Sequence, residues 1–88
     1  MLNLQINIEK MMWWVMELRE LRRDIENGAV KTCQIDSVSG RWVLRAWLQN
    51  GDSDLLESQR EGVRKFATIE AAAKAAQSAG MRSVTVNL

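Results

Sequence analysis

The spacing of apolar residues changes abruptly near position 10, and this change constrains the chain more than any other feature. Leu2, Leu4, Ile6 and Ile8 alternate with Asn3, Gln5, Asn7 and Glu9, the period of two that marks a strand with one buried face. Beyond it Met11, Trp14, Leu18, Leu21 and Ile25 recur at steps of three and four, with arginines, glutamates and Asp24 between them, the pattern of an amphipathic helix. The expectation is a strand over 2–8 and a helix over 11–27, stopped at Asn27-Gly28, residue types that take the left-handed conformation closing a helix.

The rest of the chain reads as sheet, helix and sheet. Val30 to Asp36 is rich in β-branched residues, Ser37 to Gly40 has turn composition, and 41–48 places Trp42, Leu44, Ala46 and Leu48 on one side with Val43, Arg45 and Trp47 on the other. Such a two-sided strand is expected at the centre of a sheet. Asn50-Gly51 predicts a hairpin with a type I′ turn, since both residues tolerate positive φ, and a return strand over about 54–59 that ends at Gly62. Thr68 is placed to cap a helix through Ala71, Ala72, Ala73, Ala75, Ala76 and Ala79. Gly80 stops that helix, and Arg82 to Asn87 alternates as a last strand. The expected fold class is α+β: one domain over 1–88, a single-layer, mainly antiparallel sheet with two helices packed on one face, in the order βαβββαβ.

Composition narrows the function classes. With 88 residues, 47% hydrophobic and 26% charged, one ordinary globular core is expected. No histidine is present, which removes the commonest general base and metal ligand together with every Ser-His or Cys-His nucleophile pair. Cys33 is the sole cysteine. An internal disulfide and a multi-cysteine metal site are therefore excluded, and a strand cysteine without an activating base reads as a small buried hydrophobe. Asp52 and Asp54 flank a turn that accounts for them. The reading is a non-enzyme without cofactor or metal. Leu2 to Ile8 lacks the charged start and unbroken apolar run of a secretory signal, and no later window is apolar enough to span a bilayer. A cytoplasmic protein without a membrane partner is expected.

Two sets of residues carry the functional reading. Met12, Trp13, Val15 and Met16 widen the apolar surface of the expected first helix beyond one stripe, and Trp42 and Trp47, five apart on one strand, must face opposite ways. Trp42 is assigned to the core and Trp47 to a second layer, a partner or solvent. Met12, Trp13, Trp14, Met16 and Trp47 are thus the protein-interaction candidates, and a homodimer or another protein partner is expected. The alternative is nucleic-acid binding by Arg45, Arg60, Arg64 and Lys65 with Trp47 as a stacking platform. The formal net charge of +1 supplies no global field for it, and Glu57 and Glu61 interrupt the cluster.

The run Arg41-Trp42-Val43-Leu44-Arg45-Ala46, then Lys65-Phe66-Ala67-Thr68-Ile69-Glu70-Ala71-Ala72, then Gly80 followed by Val84-Thr85-Val86, resembles small uncharacterised bacterial proteins carried on plasmids and integrative elements. In that group a tryptophan-bearing strand is followed by a phenylalanine, a short capped helix and a closing strand. The resemblance covers about the last half of the chain and implies an accessory role in plasmid or mobile-element biology.

Overall fold

The computed structural model describes residues 15–58 and 62–88. The strand expected over 2–8, together with Met11, Met12, Trp13, Trp14 and Arg60, lies outside the described residues. Where the expected first helix does fall within them, it begins late. Val15–Glu17 is extended and forms β1, and the helix α1 spans Leu18–Glu26. The reason is local: the backbone N–H of Glu17 donates to Glu20 Oε1 at 3.0 Å, the reciprocal contact of a capping box. Val15–Glu17 also pairs in parallel with Leu55–Glu57, so strand pairing takes the residues that the three-and-four spacing assigned to a helical turn. α1 ends at Glu26. The N–H groups of Gly28 and Ala29 donate to the carbonyls of Ile25 and Asp24 at 3.1 and 2.9 Å, the two bonds of a Schellman closure.

β2 (Val30–Val38) and β3 (Arg41–Leu48) form an antiparallel hairpin. Their turn is Ser39-Gly40, with φ of 51° and 78°, the positive pair of a type I′ connection. β4 (Ser53–Ser58) returns antiparallel to β3. The expectation of a type I′ turn at Asn50-Gly51 is corrected here. Only Gly51 has positive φ (95°), Gly51 N–H donates to the Leu48 carbonyl at 3.0 Å, and Leu48 N–H donates to that of Asp52 at 2.8 Å. Asn50 instead accepts the Asp52 N–H on its side chain at 2.9 Å, so three residues, not two, make the loop.

Gly62 opens a strand rather than ending one. β5 (Gly62–Val63) pairs back on the end of β4, and the chain then crosses to β3. Arg64 N–H donates to Leu56 O at 2.9 Å, while Trp42 and Phe66 exchange both backbone bonds at 2.9 and 2.7 Å. Residues 62–66 thus link β4 to the first half of β3. The helix α2 spans Ile69–Ala79, with Thr68 Oγ1 accepting the Ala71 N–H at 3.1 Å and Gly80 closing it at φ 113°. β6 (Thr85–Asn87) then lies parallel to β2.

The result is a small α+β domain with a mixed six-stranded sheet in the order β1-β4-β3-β2-β6, β5 pairing with β4 off that path. Both peripheral pairings are parallel, which corrects the expected mainly antiparallel sheet, and β5 adds a strand to the expected order. β3 is central as anticipated. One face of the sheet carries the core: Met16, Cys33, Ile35, Leu44, Ala46 and Leu56 pack with Leu21 of α1, Phe66, and Ala72, Ala75, Ala76 and Ala79 of α2. The alanines let α2 sit close to the sheet, so little volume separates the two layers. Arg22 Nη2 ties the helices together by donating to the Ser78 carbonyl at 3.2 Å.

Candidate binding face

The Ser39-Gly40 turn fixes the β2–β3 register, and the register decides which side chains meet on the reverse face, away from the helices. Thr32 lies opposite Trp47, Gln34 opposite Arg45 and Asp36 opposite Val43. On the other flank Trp47 lies opposite Ser53 and Arg45 opposite Leu55. Side chains opposite one another in an antiparallel pair share a face, so this arrangement collects Gln34, Asp36, Arg45, Trp47 and Ser53.

They are linked rather than merely close. Trp47 Nε1 donates to Gln34 Oε1 at 3.3 Å, Gln34 Nε2 donates to Asp36 Oδ1 at 2.7 Å, Arg45 Nε donates to Asp36 Oδ2 at 3.0 Å, and Arg45 Nη1 donates to Ser53 Oγ at 2.9 Å. The Arg45 guanidinium also stands 5.9 Å from the centroid of the Trp47 ring, inside cation–π range. Burial by itself raises the Asp36 carboxyl. The hydrogen bonds from Gln34, Arg45 and Asn87 and the charge of Arg45 outweigh that and hold it below its ordinary value. Asp36 is therefore an anion at neutral pH, oriented by three donors, and Trp47 is held at the far end of the same chain of bonds. Two shallow grooves border the indole, about 320 Å³ beside Lys31, Thr32 and Gln49 and about 330 Å³ beside Asp52 and Ser53.

The candidates from the sequence are separated by the fold. Met16 is buried at 3% exposure in the core and offers no surface. Trp42 packs against the core on the helix face, whereas Trp47 is half-buried on the reverse face. Arg45 joins Trp47. Arg64 does not: its guanidinium stacks 4.8 Å above Phe66, a core residue, so the two arginines belong to opposite faces. Lys65 is exposed beside Phe66. Gln34, Asp36 and Ser53 were not singled out by composition or spacing, yet a signal existed. Once Ser39-Gly40 is read as a two-residue turn, counting outward puts Gln34 against Arg45.

Elsewhere the described residues show little chemistry. Cys33 is fully buried, and burial pushes its thiol up to about 11, so the nucleophilic thiolate is scarce at neutral pH. Asp54 is raised above its ordinary value by burial and by Asp24, Asp52 and Glu20 around it. Among the described residues no group of three or more histidine, cysteine, aspartate or glutamate side chains is arranged to hold a metal ion, and no helix is long and apolar enough to cross a membrane. Compared with protein families, with curated proteins and with solved structures, the chain matches none.

Proposed function

We propose that the chain is a non-enzymatic binding and assembly module that self-associates and offers the reverse sheet face around Trp47 to a protein partner. The observation that carries this reading is the bond chain Trp47–Gln34–Asp36–Arg45–Ser53. It fixes a large amphipathic ring in one orientation on a face that none of the described helices covers, and a pre-oriented aromatic loses little conformational freedom on binding. Met12, Trp13 and Trp14 remain candidates for the same role, whereas Met16 has been absorbed by the core.

Light scattering over about 5–500 µM tests the self-association, with a concentration-dependent dimer expected. A monomer throughout that range overturns it. A two-hybrid screen with the wild type and Trp47→Ala as paired baits tests the face. Partners lost with Trp47→Ala support it, and partners kept equally by both baits move the contact elsewhere.

One observation favours a second reading, nucleic-acid binding in an accessory role: Arg45 over Trp47, with Lys31 at the groove beside the ring. Stacking and phosphate contact require such a pair. Asp36 already engages the Arg45 guanidinium, which favours the protein partner. Titration with single- and double-stranded DNA at low salt separates the readings, because phosphate contacts weaken as salt rises. Indifference to both nucleic acids ends the second reading.

A further inference from the structure

Val43 is buried at 2% exposure, and among the described buried apolar residues it is the one that stands outside the core cluster packed under the two helices. Strand alternation explains the separation. Leu44 and Ala46 belong to that core, so Val43 points to the reverse face, where it lies opposite Asp36. Side chains standing beside a sheet residue screen its flanks, whereas closing it off from above takes a second layer. The described neighbours do not supply one. Arg45 is drawn to the flanks by Asp36 and Ser53, and Arg41 and Lys65, the latter next to the Phe66 that bridges Trp42, are exposed. Leu55 lies opposite Arg45, hence on the same face, and is half-buried.

We propose that residues 1–14 of this chain lie over Val43 and Leu55 and form the second layer on that half of the reverse face. The inference goes beyond the partner reading above and holds whether or not a partner binds at Trp47. Three observations select this occupant. Nine of these fourteen residues are apolar, and only Glu9 and Lys10 are charged, the composition that covering a valine and a leucine requires. The segment also joins the sheet in the right place, because Val15 follows it directly and pairs with Leu55. Its reach is sufficient. Val43 lies on β3, two strands from β1, about 10 Å away at the usual strand spacing, whereas fourteen residues span about 21 Å as a helix and more when extended. A segment tethered beside its site acts at an effective concentration on the order of millimolar, which selects residues 1–14 of the same chain over those of a second copy. At the other end of β3, Trp47 keeps its two grooves, both lined by described residues. A partner seated on Trp47 therefore meets the edge of this layer, which makes residues 1–14 part of the surface it reads.

Paramagnetic relaxation enhancement in the whole chain reads this placement. A nitroxide is attached at Asn7→Cys, a polar position, so the apolar residues of the segment are kept. Native Cys33 is fully buried, and mass spectrometry checks that one label is added. The amide signals of Val43 and Leu55 should lose most of their intensity, those of Lys74 and Gln77 on the exposed side of α2 should keep theirs, and reduction of the nitroxide should restore them all. A mixed sample tests the occupant. Nitroxide-bearing chain without isotope, added to nitrogen-15 wild type at the same total concentration, should leave Val43 and Leu55 unbroadened. Signals at Val43 and Leu55 that keep their intensity in the first sample, or that fall no further than those of Lys74 and Gln77, overturn the proposal. Broadening as strong in the mixed sample gives the face to the segment of a second copy and overturns it as well. The paired screen with Trp47→Ala decides the partner reading separately.

Discussion

Asp36 and Arg45 allow the reverse-face network to be weighed. Asp36 is 15% exposed and Arg45 30% exposed, with Arg45 Nε and Asp36 Oδ2 3.0 Å apart. A solvent-exposed ion pair contributes about 0–1 kcal/mol, and breaking a buried one costs about 3–5 kcal/mol. This pair is mostly buried, and its carboxylate also accepts from Gln34 and Asn87. A coupling of about 1–2 kcal/mol follows, measured in a double-mutant cycle of Asp36→Asn and Arg45→Met by urea unfolding at pH 7. Asp36→Asn alone should cost about 1–3 kcal/mol, since a neutral amide keeps part of the hydrogen bonding and loses the charge. The pH dependence provides an independent check. The folded-state value of Asp36 is depressed, so its contribution is present above the unfolded value of about 3.9 and is lost as pH falls through the lower folded value. Wild type and Asp36→Asn should therefore differ at pH 7, and the difference should shrink as pH falls below the unfolded value. A coupling below about 0.3 kcal/mol, or a difference that stays constant from pH 7 to pH 2.5, refutes the view that this network fixes the face.

Three further outcomes are expected. Cys33 should be inert to a thiol reagent in the native protein and react stoichiometrically in denaturant, because the buried thiol is held protonated; rapid native labelling contradicts its placement. Gly80→Ala should destabilise by about 1–3 kcal/mol and by more than Gly28→Ala, since Gly80 sits at φ 113° with an added Cβ 3.4 Å from Ile25 Cγ2, whereas Gly28 at φ 76° faces open space. Equal midpoints in thermal unfolding go against it. Asp54 is raised in the folded state, so its ionisation opposes folding as pH rises, and Asp54→Asn should stabilise the protein at pH 7 and have no such effect below pH 4, as read by denaturant midpoints.

The parts of the fold that local chemistry determines were readable in the sequence. Thr68 and Gly80 bound α2, Ser37 to Gly40 contains the β2–β3 turn, and the five-residue spacing of Trp42 and Trp47 puts them on opposite faces. What escaped depends on long-range pairing. Met11, Trp14, Leu18, Leu21 and Ile25 keep a helical rhythm straight through Val15–Glu17, and only pairing with β4 and the Glu17–Glu20 contact show that the described helix starts at Leu18. The alternation of Arg82 to Asn87 announced β6, but its parallel pairing with β2, like that of β1 with β4, rests on three paired residues far apart in the sequence and carries no local signal. Arg45 and Trp47 were legible as candidates one at a time. Asp36 and Gln34, which hold them, became visible only through the register.

The two faces of the sheet are built from different chemistry. On the helix side the described core contains no buried polar or charged residue, and α2 closes it with buried alanines. Truncating Leu44 or Leu56 there should cost about 2–5 kcal/mol, which makes that side a stability element. The reverse side uses four hydrogen-bonding side chains, Gln34, Asp36, Arg45 and Ser53, in the setting of one indole, although a sheet already covered on its other face does not need them to close a core. Their physical effect is to remove rotamer freedom from Trp47 and Arg45 before any partner arrives, and preorganised groups bind with less entropic loss.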